Sequence, residues 1–111
     1  MWAFTDSGFV SVVQDWDTKD LLVARARDKT SLEELSAFAG ASIEETPHRD
    51  YPYRVYLTRE ALAGWLARTV DHLHYNNYKA RMWHTRGEQF SEPLHEVWAA
   101  MHGVTPGKNS P

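Results

Sequence analysis

The hydrophobic period of the chain changes along its length, and this limits the fold more than any other feature. Phe9–Val13, Leu21–Arg27 and Tyr51–Leu57 are alternating or rich in β-branched and aromatic residues, as half-buried strands are. Leu32, Leu35 and Phe38 recur instead at three- and four-residue spacing. So do Leu62, Trp65, Leu66, Thr69, Val70 and Leu73, and then Leu94, Val97, Trp98 and Met101. Such stripes belong to helices that lay one face on a neighbouring element.

Punctuation residues place the boundaries. Asp6-Ser7-Gly8 is a turn signal within strand material at residues 2 to 14, and the polar run Asp15 to Asp20 reads as a hairpin loop. Thr30 or Ser31, each with Glu three residues on, reads as a capping box for the first helix, and Gly40 as its left-handed end. Ile43 to Thr46 is a short strand candidate. In Tyr51–Leu57, Tyr51, Tyr53, Val55 and Leu57 should share one face, with Pro52, Arg54 and Tyr56 on the other. Pro52 puts that end at an edge or a strand start, because it cannot donate to a ladder. Thr58 should cap the second helix. The Asn pair in His74-Tyr75-Asn76-Asn77-Tyr78 should break it, and Gly87 should interrupt again before Ser91 and Pro93 open a last helix. The order is strand, strand, helix, strand, strand, helix, helix. It predicts an α+β fold: a four-stranded antiparallel sheet with helices on one face. One domain is expected over residues 1–103, with a loose tail at 104–111.

Composition excludes several functions. The 111 residues contain no cysteine, which removes disulfides, thiol nucleophiles and cysteine-ligated zinc. The start, Met1-Trp2-Ala3-Phe4-Thr5-Asp6, has neither a basic nor an apolar leader segment, and no apolar run is long enough to span a bilayer. A cytoplasmic location is the resulting expectation. The net charge of −3 argues against non-specific grip on nucleic acid.

Met1-Trp2-x-Phe4-Thr5-x-x-Gly8-Phe9-x-Ser11-Val12-Val13, Leu22-Val23-x-Arg25-Ala26-Arg27, Glu45-Thr46-Pro47-x-x-Asp50-Tyr51-x-Tyr53-Arg54-Val55, Tyr75-x-Asn77-Tyr78-Lys79 and His95-x-Val97-Trp98-x-x-Met101 run through the chain up to Gly103. Together they resemble a group of small uncharacterised proteins from bacteria, notably actinobacteria, and their phages. The resemblance implies a stand-alone domain, phage-encoded among its sources, and carries no activity.

No constellation of catalytic residues stands out. There is no Gly-x-Ser-x-Gly elbow, no His-Glu-x-x-His pair and no glycine-rich phosphate cradle. On a regular helix His72 and His74 would lie about 200° apart, and His95 and His102 about 10 Å apart in rise, so neither pair would chelate one ion. No metal, cofactor or catalytic residue is assigned, and a small hydrolase ranks last among the readings. With 13% aromatic residues, including five Trp and five Tyr, the first reading is a non-enzymatic interaction protein. It would bind a protein partner or itself, a homodimer being one way to bury an uncovered sheet face or edge. The partner-binding candidates are Trp16, Tyr51, Tyr53, Tyr56, Tyr75, Asn77 and Tyr78. The alternative is single-stranded nucleic acid bound on a sheet face by Arg25, Arg27 and Arg54, with Lys79 added. That reading competes with pairing of these arginines to Glu44, Glu45 and Asp50.

Overall fold

A computed structural model describes residues 1–107. Of the tail expected at 104–111, residues 108–111 lie outside the described part. The elements are β1 (Trp2–Thr5), β2 (Gly8–Gln14), β3 (Leu21–Ala26), α1 (Thr30–Ala39), β4 (Glu44–Glu45), β5 (Tyr53–Thr58), α2 (Arg59–Asp71), α3 (Tyr78–Arg86) and α4 (Glu88–His102). The α+β class holds. The sheet has five strands, all antiparallel to their neighbours, in the order β1-β2-β3-β5-β4. The expected count of four merged β1 and β2, although the Asp6-Ser7-Gly8 signal between them does fold Thr5 back onto Gly8. The chain parts into two compact units, one over Met1–Leu73 and a second that begins at His74.

In the first unit the register decides which side chains meet the helices. Val12 stands opposite Ala24, Ala24 opposite Val55, and Leu22 opposite Leu57. Residues directly opposite share a face, so these five line one side of the sheet. They form the core with Val10 and Ala26, with Leu32 and Leu35 of α1, and with Leu62 and Trp65 of α2. Small residues on β3 let α1 lie close to the sheet. The two helices also meet each other: a Cβ at Gly64 would stand 3.0 Å from Cζ of Phe38, so glycine makes room for that ring.

The helix ends follow side-chain chemistry, with two departures from expectation. Thr58 Oγ1 accepts from the Ala61 N–H at 3.1 Å, and Asn77 Oδ1 from the Ala80 N–H at 3.0 Å. Gly40 ends α1 at φ 65°, where a Cβ would be strained. Neither Thr30 nor Ser31 caps α1, however. Asp28 does so, its Oδ1 accepting from the Ser31 N–H at 2.9 Å. The carboxylate two residues earlier outcompetes the hydroxyls, and Ser31 is buried within the first turn. Nor do Ser91 and Pro93 open the last helix. Gly87, at φ 85°, turns the chain, and α4 starts at Glu88 with Pro93 inside it. Ser91 instead donates its hydroxyl to the Lys79 carbonyl at 3.2 Å, tying α4 to α3. Replacing Thr58 or Asn77 by alanine should each cost about 1 kcal/mol, read as a lower denaturant midpoint at unchanged slope.

The apolar stripe of α2 is covered only in part. Leu62 and Trp65 are buried, but Val70 and Leu73 are exposed and the helix ends at Asp71. In the second unit α3 packs on α4. Met82 and Leu94 are the buried apolar residues there. Among the described residues no helix is long and apolar enough to cross a membrane.

Candidate functional site

The candidate residues fall into two sets. The first is the sheet face opposite α1 and α2. Trp2 pairs with Ser11, Ser11 with Arg25, Arg25 with Arg54, and Arg54 with Glu44. One row of side chains therefore crosses all five strands. Tyr56 stands opposite Val23 on the same face. Phe9 stacks on Phe4 at 4.6 Å between ring centroids and meets Trp2 edge-on at 5.5 Å, so the β1 end of this face is aromatic and its middle is cationic.

Tyr51 organises the cationic part. The Arg25 and Arg27 guanidiniums each lie 4.6 Å from its ring centroid, a geometry that draws on the negative charge of the ring face. Alternation along Tyr51–Leu57 had placed Tyr51 with Tyr53, Val55 and Leu57. Instead β5 begins at Tyr53, and Tyr51 serves the opposite face. Pro52 is the reason: it cannot donate to the ladder, so the residue before it escapes the strand period. Thr46 holds this bend, its N–H donating to the Pro52 carbonyl and its hydroxyl to the Tyr51 carbonyl at 3.0 Å. Tyr51 is buried, whereas Tyr53 is half-buried beside the core.

Arg25 also donates from Nη2 to Ser11 Oγ at 2.7 Å, and Arg27 from Nη1 to the Asp50 main-chain carbonyl at 3.1 Å. Pairing of these arginines to Glu44, Glu45 and Asp50 does not occur. Among the described residues neither Arg25, Arg27 nor Arg54 forms an ion pair, and the buried Nε atoms of Arg25 and Arg54 have no hydrogen-bond partner.

The second set is the exposed tryptophans, Trp2 and Trp16 in the first unit and Trp83 and Trp98 in the second. Trp16 is 95% exposed at the tip of the β2–β3 loop. The Asp15 carboxylate accepts from the N–H groups of Asp17 and Thr18 at 3.2 and 3.0 Å, so the loop that presents Trp16 is held by its own side chain. Trp2, Trp83 and Trp98 are 65%, 54% and 53% exposed. On α4 the rings of His95, Trp98 and His102 stack in sequence, with centroids 5.7 and 5.2 Å apart. Lys79 Nζ lies 5.1 Å from the Trp98 centroid, so this nucleic-acid candidate is occupied by its own helix pair. Sequence reading had assigned Val97, Trp98 and Met101 to a buried stripe. All three are exposed, and only Leu94 of that stripe is covered. Periodicity shows that a helix has an apolar side; it does not say that anything lies on it.

Tyr75 and Tyr78 are half-buried, their rings 5.8 Å apart, and Asn77 is exposed and caps α3. Open grooves on the second unit are lined by Lys79, Trp83, Glu88, Glu92 and His95, and by His74, Tyr75, Asn76, Arg81 and His84. Among the described residues no three His, Asp or Glu side chains stand where they could hold a metal ion. Compared with known proteins, the chain matches no family profile, no curated protein and no solved structure.

Proposed function

We propose that this chain is a small non-enzymatic interaction protein that binds a protein partner through exposed aromatic side chains. One observation carries the reading: four of its five tryptophans, Trp2, Trp16, Trp83 and Trp98, are more than half exposed. Tryptophan has the largest apolar side chain, and each of these four leaves more than half of its surface uncovered. It is also the residue most enriched at the energetic centre of interfaces. Trp16 is the best placed, because the backbone of the loop that carries it is already held by Asp15, which lowers the ordering cost of binding.

The test is capture of partners from a cell lysate at high salt after nuclease treatment, with wild type, Trp16→Ser and Trp98→Ser side by side. Both positions are exposed, so the variants should unfold at the wild-type midpoint. We expect a discrete protein held by wild type and reduced at least tenfold by Trp16→Ser, the loss typical of an interface anchor. Loss with Trp98→Ser alone would move the surface to α4. Identical capture by all three chains would reject the reading.

A further inference from the structure

The middle of the sheet face away from α1 and α2 carries charge that the fold leaves unbalanced. Arg25 and Arg54 are direct cross-strand partners, and like charges in that position repel. Arg27, the residue just after β3, lies two positions beyond Arg25 and shares Tyr51 with it. Glu44, the cross-strand partner of Arg54, is the carboxylate nearest in register, yet no ion pair joins it to any of the three among the described residues. Two donors, the Nε atoms of Arg25 and Arg54, are buried and unmet. A buried donor without an acceptor is costly, and these two neighbouring guanidiniums carry charge that no described carboxylate offsets.

We propose that Arg25, Arg54 and Arg27, with Ser11, form a binding site for the phosphate monoester group of a small ligand. Guanidinium forks match the oxygens of phosphate in pairs. The forks are already oriented: Tyr51 backs Arg25 and Arg27, the Asp50 carbonyl holds Arg27, and Ser11 holds Arg25. Ser11, itself buried, accepts from Arg25 and fixes the direction of that guanidinium. Three positive charges with no ion pair among the described residues suit a dianion better than a singly charged carboxylate. The site also differs from a single-strand nucleic-acid platform, which needs open rings for bases to stack on. Beside these arginines the ring is Tyr51, buried beneath guanidiniums, and the exposed Trp2 stands two strands away from β3, on β1. The site needs neither Trp16 nor the tryptophans of the second unit.

The experiment is calorimetric titration of the whole protein, in phosphate-free buffer, with inorganic phosphate, phenyl phosphate, diphenyl phosphate and a single-stranded oligonucleotide lacking terminal phosphates. We expect saturable binding of a monoester, little of the diester, and at least a tenfold loss in Arg54→Gln. Glu44→Gln should bind more tightly than wild type. Equal affinity for inorganic and phenyl phosphate would assign the site to phosphate itself, and tighter phenyl phosphate to an organic monoester; both support the proposal. Arg54→Gln should melt no lower than wild type without ligand, since it removes repulsion; a merely structural arginine would show the reverse. Should that variant not fold, Arg27→Gln at an exposed position repeats the test. Absence of monoester binding, undiminished binding in the variants, or tighter binding of the oligonucleotide would each overturn the proposal, the last in favour of nucleic acid.

Discussion

Trp65→Ala should destabilise the first unit by about 3–5 kcal/mol, the cost of emptying a large aromatic site in a core that closes only partly around the hole. Trp65 is fully buried, and it joins α2 to a cluster that includes Leu32, Leu35, Val55 and Leu57. A small domain has only about 5–15 kcal/mol in total, so the variant should sit near the edge of folding. Urea unfolding followed by far-ultraviolet circular dichroism is the suitable measurement, because the four exposed tryptophans would dominate a fluorescence signal. Trp65→Phe sharpens the argument. The Trp65 Nε1 donor is buried without a partner, and such a donor costs about 1–3 kcal/mol. Phenylalanine removes that donor while keeping most of the ring, so it should cost roughly half of the alanine change or less by the same reasoning. Equal losses from the two variants would show that the indole nitrogen has an acceptor.

The second large effect is expected at Leu32. This residue is fully buried on α1, the helix that contacts β2, β3, β5 and α2. Leu32→Ala should cost about 2–5 kcal/mol, again read from the urea midpoint. Leu32 and Trp65 belong to one cluster, so the double variant should lose less than the sum of the single ones, by about 0.5 kcal/mol or more. Strict additivity would mean that the two side chains fill separate holes, against the single core described above. Surface changes such as Trp16→Ser should leave the midpoint within about 0.5 kcal/mol of wild type, which is why they can report on binding alone.

Much of this core was legible in the sequence, for a simple reason. A strand with one buried face must alternate, and Leu22, Ala24 and Ala26 do so, as do Val55 and Leu57. The same parity set Arg25 and Arg54 on the other side, and the register then brought them together. The sequence also marked Trp16, because a polar loop gives a tryptophan nothing local to bury against. Tyr51 was misplaced because parity was carried through Pro52, where the ladder stops. The α1 cap was misplaced because Asp28, Thr30 and Ser31 are all competent caps, and only the backbone path selects among them. The exposed side of α4 was hidden for a different reason. Val97, Trp98 and Met101 have the spacing of a buried stripe, and burial depends on tertiary neighbours that no local pattern encodes.

The two ends of the sheet are unequal, and this bears on polymerisation. At one end β4 is two residues long, and both are exposed glutamates. A strand from another molecule would find almost no ladder there and would meet negative charge as it approached. At the other end β1 is four residues long with Trp2 exposed, and among the described residues it is the outer strand. Glu44 and Glu45 therefore disfavour strand addition at β4, and with it any head-to-tail fibre built through that edge.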